Sequence, residues 1–264
     1  MNVKIIVCVK QVLDPETPSS AFKIDREVKR ALPPPGKDPV VNGFDENAVE
    51  AALRIKESVG GVVTVVSMGR AFAMDVIKKP LAMGADELVL LQDDAFETVD
   101  PFVTANVLAA AIRKIGSFDL ILCGRQASDW DNAQVPLGLA ELLGLPCLTV
   151  AKKVEIADGS VRAERVTPDG HEIVEAALPA IVTVSNELGE PRTPTIKGLM
   201  GVTKVKPTVW KLSDLAVDLA KFARVEVTDL FIPVRERRCE IIKGENDSDS
   251  GRMLALKLRE AKLI

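Results

Sequence analysis

The chain has 264 residues, of which 47% are apolar and 27% are charged, a composition that excludes disordered, collagen-like and disulfide-scaffold proteins. Its net charge of −4 argues against a dedicated nucleic-acid-binding protein, which usually has a strongly basic face. The chain has one histidine and no tyrosine, so most acid–base and nucleophilic chemistries lack their usual side chains. No stretch reaches the roughly 18 consecutive apolar residues of a membrane span, so we expect no membrane insertion.

The four cysteines, Cys8, Cys123, Cys147 and Cys239, form no CxxC pair and do not cluster with histidine, which argues against a zinc site. We interpret them as reduced, buried thiols of a cytoplasmic protein. The apolar N-terminal run is followed at once by acidic residues and has no small-residue cleavage site. We therefore interpret it as a first strand and not as a signal peptide.

Apolar runs alternate with helical patterns in the first half of the chain. Strands are predicted over Val3–Val9, Val62–Ser67, Glu87–Leu91 and Phe118–Cys123, and helices over Phe44–Ser58, Ala71–Met83, Asp100–Lys114 and Asn132–Leu143. We expect Asp45 to cap the first helix, Pro80 to kink or shorten the second, and Asp100 with Pro101 to begin the third. This alternation implies a parallel sheet with right-handed crossovers.

The pattern changes after Gly144. Two strands, Val161–Val166 and Glu172–Ala176, flank a Pro-Asp-Gly turn and predict a hairpin. The remaining predicted segments are a strand over Ala180–Ser185, a polar loop over Asn186–Lys197, a short strand over Thr208–Leu212, a flexible linker over Gly244–Gly251 and a short amphipathic helix over Arg252–Ile264.

The expected fold class is α/β, with a mostly parallel sheet, flanking helices, a β-hairpin region and an extended C-terminal arm. We expect the α/β domain to span residues 1–212 and the arm to span residues 213–264. A short helix at the end of a linker is marginally stable alone. We therefore expect the arm to pack against this chain's own body or against a partner.

Candidate ligand-binding residues follow from the sheet, because open α/β sheets bind ligands at the carboxyl ends of their strands. Three such ends are Cys8-Val9-Lys10, Ser67-Met68-Gly69 and Cys123-Gly124-Arg125-Gln126. The last opens the polar stretch GRQASDWDNAQVP, longer than the about 2–6 residues of most connections of this kind. Gly124 permits a close backbone approach, and the next helix offers N–H donors to a phosphate. We predict a ligand loop here; the alternative is a solvated connection with a helix cap.

Several other features have two interpretations. The motifs GxGxxG and GxxxxGK[ST] are missing, so any nucleotide is held in another way. Trp130 is either a partly buried anchor or a ring beside a ligand, and Asp129 and Asp131 fit a polar loop as well as acid catalysis. We interpret His171, beside the Pro-Asp-Gly turn, as a surface residue, and residues 235–238 as a solvated charged stretch.

Five blocks of sequence, in order along the chain, carry a resemblance to a known family. They are Val7–Val12 (VCVKQV), Asn42–Glu46 (NGFDE), Leu81–Asp86 (LAMGAD), Gly124–Asp129 (GRQASD) and Arg165–Thr183 (RVTPDGHEIVEAALPAIVT). They resemble the V-x-V-K-x-V, N-P-F-D-E, L-A-M-G-A-D and G-[KR]-Q-A-x-D motifs and the signature of the electron-transfer flavoprotein beta subunit, including its FixA branch. Gly43 and Pro168 depart from the pattern, which has proline and an acidic residue there.

The resemblance implies a heterodimer with an alpha subunit that holds most of the electron-carrying FAD. Electrons would pass between dehydrogenases and an acceptor, by electron bifurcation in one branch. The cofactor would do the chemistry, so no catalytic side chain is expected. The loop 186–200 resembles the family's recognition loop, which docks on partner dehydrogenases with Ile196 as its apolar anchor; alternatively, Ile196 packs into the body of the chain.

The resemblance also implies that this chain holds a buried adenine nucleotide. The residues carried over to that site by position are Cys8, Asn42, Gly43, Phe44, Asp45, Met68, Gly124, Arg125, Gln126, Ala127, Ser128, Asp129, Trp130, Asp131, Asn132, Ala133, Gln134 and Val135. The nucleotide is AMP in one branch and a second FAD in the bifurcating branch. Asp131–Val135 (DNAQV) resembles the bifurcating D-T-A-Q-V and favours FAD, whereas Asn42–Glu46 is closer to the AMP-binding branch. The rival function is a stand-alone adenine-nucleotide binding or sensing protein, without partner or flavin.

Overall fold

The sheet of this protein is built from runs of β-branched and aliphatic residues. A computed structural model describes residues 2–97, 99–233 and 239–264. Their strands are β1 (Val3–Val9), β2 (Gln11–Val12), β3 (Lys23–Asp25), β4 (Arg30–Leu32), β5 (Val40–Val41), β6 (Gly61–Gly69), β7 (Glu87–Gln92), β8 (Leu120–Gly124), β9 (Cys147–Ala157), β10 (Ser160–Thr167), β11 (Gly170–Ala177), β12 (Ala180–Val184) and β13 (Thr208–Trp210).

The described residues also form helices. They are α1 (Gly43–Val59), α2 (Met74–Ile77), α3 (Lys79–Met83), α4 (Pro101–Ile115), α5 (Val135–Leu143), α6 (Ile196–Val202) and α7 (Asp247–Glu260). No helix of the described ranges is long and apolar enough to cross a membrane.

Nine strands form one sheet in the order β11-β10-β9-β12-β8-β1-β6-β7-β13. The run from β9 through β12, β8, β1, β6 and β7 to β13 is parallel, and β10 and β11 extend it as an antiparallel hairpin. The mostly parallel sheet and the hairpin are therefore confirmed. The pairs β2–β5 and β3–β4 form two small antiparallel sheets.

Two hydrophobic cores cover the two faces of the sheet. On one face Ile5 and Val7 pack in a core with residues of α1, and on the other Ile6 and Ile121 pack in a core with residues of α4 and α5. Successive residues of a strand point to opposite faces, so a strand covered on both sides is apolar throughout. This explains why β1 has the bounds that its apolar run predicts.

The first residues of the observed helices can be compared with the predicted capping residues. Asp100 caps α4 by accepting a hydrogen bond from the Val103 amide, and Pro80 lies in the first turn of α3, where the predicted second helix is divided in two. The expectation that Asp45 caps α1 is wrong. Asn42 occupies the cap position, and the Asp45 carboxylate binds amides outside the helix instead. The predicted helix 132–143 begins only at residue 135.

Other corrections concern the second half of the chain. The strand β9 was not predicted, and the expected loop 186–197 contains a short 3₁₀ turn over Asn186–Leu188 and the start of α6. The linker predicted over 244–251 ends early, because Asn246 caps α7 and the helix begins at Asp247. Residues 235–238 lie outside the described part of the chain.

The cysteines confirm the buried-thiol prediction only in part. All four are free; Cys8 and Cys123 are buried, whereas Cys147 is half-buried and Cys239 is exposed. The chain divides into two compact units, residues 1–230 and 231–264, and α7 belongs to the second.

Candidate functional site

The sheet brings three predicted strand ends together. β8, β1 and β6 are neighbours and run parallel, so their carboxyl ends lie at one edge of the sheet. Cys8 and Cys123 are partners across β1 and β8, and Met68 lies near the end of β6. A hydrogen bond with the neighbouring Cys8 thiol, together with burial, holds the pKa of Cys123 well above its usual range, so this thiol stays protonated.

Asn42 joins the start of α1 to the polar loop that follows β8. Its side-chain amide donates a hydrogen bond to the Gln126 carbonyl at 2.8 Å, and its side-chain oxygen accepts one from the Ser128 amide at 3.1 Å. Asn42 is fully buried, so these bonds satisfy polar atoms that have no access to water. The residue therefore fixes the path of the loop against α1.

Asp45 joins the same helix to two strand ends. One carboxylate oxygen accepts a hydrogen bond from the Lys10 amide at 2.7 Å, and the other accepts one from the Gly124 amide at 3.1 Å. Burial raises the pKa of Asp45 to about 7, although the two amides and the nearby Lys10 charge act in the opposite direction.

Gly124 is required by this close packing. A Cβ atom at this position would lie 2.4 Å from a carboxylate oxygen of Asp45 and 2.7 Å from the Phe44 carbonyl carbon. The close approach predicted for Gly124 is thus observed, and its partner in this structure is α1.

The loop between β8 and α5 is shaped by an ion pair, a side-chain hydrogen bond and two residues in the left-handed backbone conformation. Lys10 binds the Asp129 carboxylate at 2.7 Å, and the Gln126 side-chain amide donates to Asp131 at 2.7 Å. Asp131 and Ala133 have φ values of 50° and 53°, which cannot continue into a helix. This explains why α5 begins at Val135.

Two buried polar atoms of this loop are orphaned. The Arg125 Nε and the Ser128 Oγ have no hydrogen-bond partner among the described residues. The Arg125 guanidinium also stacks over the Phe44 ring, with its carbon 4.9 Å from the ring centroid. Unpaired buried polar atoms are costly and call for a specific explanation, such as a ligand that binds them.

A cleft of about 390 Å³ opens beside the loop. It is lined by Arg125, Gln126, Ala133, Leu137, Thr149, Val150 and Thr183. Its volume is in the about 300–1,000 Å³ range of small-molecule sites.

Sequence reasoning missed Thr149 and Val150 of the cleft because β9 itself was not predicted, and it left out Thr183 although β12 was predicted as a strand. It also left Lys10 out of the site, although Lys10 stands at a named strand end.

The other predicted residues are placed as follows. Gly43 and Phe44 open α1, Ala127 is half-buried in the loop, and Val135 begins α5. Asn132, Gln134 and Trp130 are exposed, and Trp130 has an exposed fraction of 53%. His171 lies at the surface, as predicted, and its Nε2 is 2.9 Å from Glu164.

Ile196 lies far along the chain from these residues, at the first position of α6. It is 79% exposed, so it does not pack into the body of the chain. Leu199 and Met200 of the same short helix are also exposed.

A parallel sheet with a glycine-led polar loop at its carboxyl edge defines an α/β protein with one candidate ligand site at that edge. The electron transfer flavoprotein domain matches residues 36–215. The electron transfer flavoprotein subunit beta of Thermoanaerobacterium thermosaccharolyticum is 40% identical over 247 residues, covering 92% of this chain and 93% of that protein. The same subunit of Clostridium acetobutylicum is 38% identical over 218 residues, covering 83% and 82%.

A third relative is the caffeyl-CoA reductase-Etf complex subunit CarD of Acetobacterium woodii. It is 35% identical over 267 residues, covering 99% of this chain and 100% of the relative. The chain therefore belongs to the electron transfer flavoprotein family, among its beta-subunit members, and its role is electron transfer.

Proposed function

We propose that this chain pairs with an electron transfer flavoprotein alpha subunit and holds an adenine nucleotide at the carboxyl edge of its sheet. The heterodimer passes electrons between dehydrogenases and an acceptor, and FAD, mainly in the alpha subunit, supplies the redox chemistry. The observation that carries the nucleotide site is the pair of orphaned buried atoms in the loop, Arg125 Nε and Ser128 Oγ.

These residues fit a phosphate-bearing ligand. Arg125 supplies a positive charge and N–H donors, and Ser128 supplies a hydroxyl donor. The first amides of α5 add donors, since Gln134, its cap residue, makes no side-chain capping bond within the described chain. Cys8 and Met68 contribute apolar surface at the neighbouring strand ends.

The chain's own residues position the ligand and do no bond chemistry in this proposal. Asn42 and Asp45 hold the loop against α1, and the Lys10–Asp129 pair fixes its outer part. The exposed Ile196 is the docking anchor toward a dehydrogenase, because a protein–protein hot spot needs an apolar side chain that a partner can bury.

The test is the cofactor content of the heterodimer. The chain is co-expressed with its alpha subunit, the purified complex is denatured, and FAD and AMP are counted by chromatography. We expect two FAD and no AMP if the DNAQV segment of the loop sets the choice, and one of each if the Asn42–Glu46 block does.

The Arg125→Met and Ser128→Ala variants assign the nucleotide to this loop. Each should lose one cofactor per heterodimer while the alpha-subunit FAD stays bound. Full occupancy in both variants contradicts the site. A stable chain that binds a nucleotide but neither an alpha subunit nor a flavin supports the stand-alone sensing function instead.

A further inference from the structure

The segment 186–202 combines an exposed apolar face with an anchored base. Ile196, Leu199 and Met200 are at least half exposed, and none of the residues of α6 is buried. A seven-residue helix of this kind has almost no stability of its own. Something else in the chain must therefore hold it in place.

Arg192 makes the densest set of contacts in this segment. Its Nε donates to the Glu50 carboxylate at 2.7 Å, its backbone amide donates to the same carboxylate at 3.2 Å, and a terminal nitrogen donates to Glu57 at 3.1 Å. The other terminal nitrogen also binds Glu57. Both acids lie on α1, so one arginine joins the segment to two turns of that helix.

Glu50 is a charged group with little access to water, since only 4% of it is exposed. Burial works against its ionisation, but hydrogen bonds from Arg192 and Arg54 outweigh that effect and lower its pKa. Removing one partner of a buried ion pair is more destabilising than breaking an exposed pair. Without Arg192, Glu50 keeps Arg54 as its cationic partner, and the segment 186–202 loses its ion pairs to α1.

The contacts on either side of Arg192 are weaker. Asn47 donates to the Gly189 carbonyl at 2.7 Å and Arg54 donates to the Leu188 carbonyl at 3.3 Å, both through neutral acceptors. At the far end, Lys78 donates to the Val202 carbonyl at 3.2 Å. Among the described residues from 189 to 202, the ion pairs to the body of the protein come from Arg192.

We propose that Arg192 is the positioning residue of the 186–202 segment, and that its ion pairs with Glu50 and Glu57 keep the apolar face of α6 ordered before a partner binds. A preordered face avoids the entropic cost of ordering a loop on association. This inference rests on the proposed docking role of Ile196, since only docking gives the ordered face a purpose.

The experiment uses the heterodimer and measures hydrogen exchange of the 186–202 amides. Arg192→Met should raise their exchange by about tenfold or more, because it leaves the Glu50 charge without its main partner. Arg192→Lys keeps the charge without the forked geometry, and Glu57→Gln removes only the more exposed partner; both should give smaller increases. Arg70→Met is the matched control, since Arg70 also pairs with two acids, Asp94 and Glu97, outside this segment.

The second measurement is steady-state electron transfer from a flavin-dependent dehydrogenase that reduces the wild-type heterodimer. Arg192→Met should raise the KM for the dehydrogenase with little change in kcat or in cofactor content. Because it breaks a buried ion pair, Arg192→Met should also lower the midpoint of thermal unfolding, and the milder pair Arg192→Lys and Glu57→Gln therefore repeats the test at a midpoint near wild type.

The outcomes separate the two proposals. Wild-type exchange of residues 186–202 in every variant overturns the positioning role. Faster exchange with an unchanged KM also overturns it, provided that Ile196→Ala raises the KM. If neither Ile196→Ala nor Arg192→Met changes the KM, the docking role itself fails.

Discussion

Asp45 shows how one side chain can tie a helix to two strand ends. Both of its oxygens accept hydrogen bonds from backbone amides, one at the end of β1 and one at the end of β8. A carboxylate has two acceptor oxygens, whereas an asparagine has one oxygen and an NH₂ group that can only donate. No rotamer of asparagine can therefore satisfy both amides.

We expect Asp45→Asn to lower the free energy of unfolding of the heterodimer by about 1–3 kcal/mol, because it faces a buried N–H with another donor. The folded-state pKa of about 7 lies above the ordinary aspartate value of 3.8, so the folded protein keeps the proton to higher pH. The wild-type stability should accordingly fall as pH rises from 3.8 to about 7, and that slope should vanish in Asp45→Asn.

Urea unfolding at a series of pH values measures both effects. Asp129→Asn is the control, since it removes a partly exposed ion pair and should cost about 1 kcal/mol or less. Equal pH slopes in wild type and Asp45→Asn contradict the assignment.

At the scale of the element, the orientation of α6 is set by its packing against α3. A Cβ on Gly198 would lie 2.3 Å from the Ala82 carbonyl oxygen, so the helix backbone packs directly against α3. Thr195 caps α6 by accepting a hydrogen bond from the Gly198 amide at 3.0 Å. This contact turns the larger side chains of α6, Ile196 among them, toward solvent.

Ile196→Ala should weaken electron transfer with a partner dehydrogenase by an amount equivalent to about 2 kcal/mol or more, because it truncates the proposed docking anchor. Bound cofactors should be unchanged. Ile173→Ala, another exposed isoleucine on β11, is the matched control. The readout is KM for the dehydrogenase; an unchanged KM counts against docking, and a lost cofactor indicates a role in folding.

Strands and helices whose apolar residues follow a regular pattern could be predicted from the sequence. The central strands are apolar on both faces, and α1 repeats Ala48, Ala52 and Ile55 on a buried face. The strand β9 was missed because Lys152, Lys153 and Glu155 interrupt its apolar run and because Val150 takes a left-handed φ of 58°. The start of α7 was missed because its acidic first turn has the composition of a linker.

The location of the candidate site could be predicted from sequence, but the side-chain contacts within it could not. Strand ends can be found from sequence, because parallel strands end at one edge. The pairings that shape the loop cannot, since Lys10–Asp129 and Asn42–Gln126 join residues that are far apart in sequence. The exposure of Ile196 likewise depends on the packing of α6 on α3, which no local pattern encodes.

At the scale of the whole molecule, the second unit, residues 231–264, contains the helix α7, which contributes no side chain to a hydrophobic core. No residue of α7 is buried, and its Leu254 and Leu256 are about half exposed. An isolated helix of 14 residues is marginal in water. These features favour a partner for residues 231–264.

Expressed without an alpha subunit, the chain should aggregate or remain poorly soluble, since exposed apolar surface promotes association. Co-expression should give a monodisperse heterodimer by size-exclusion chromatography with light scattering. A chain ending at residue 230 is the control: it should gain solubility alone and lose affinity for the alpha subunit. A full-length monomer that stays monodisperse and gains nothing from the alpha subunit contradicts obligate pairing.

The strand order also fixes when the cleft can form during synthesis. β12 pairs with β8 on one side and β9 on the other, although both precede it in the chain. The three antiparallel strands β9, β10 and β11 are connected to the rest of the sheet through β12. They therefore cannot join the sheet until β12 has left the ribosome. Because the cleft needs Thr149 of β9 and Thr183 of β12, it exists only after more than two thirds of the chain has emerged. The nucleotide proposed for this edge of the sheet would therefore stabilise only the finished sheet and would have no part in the earlier steps of its folding.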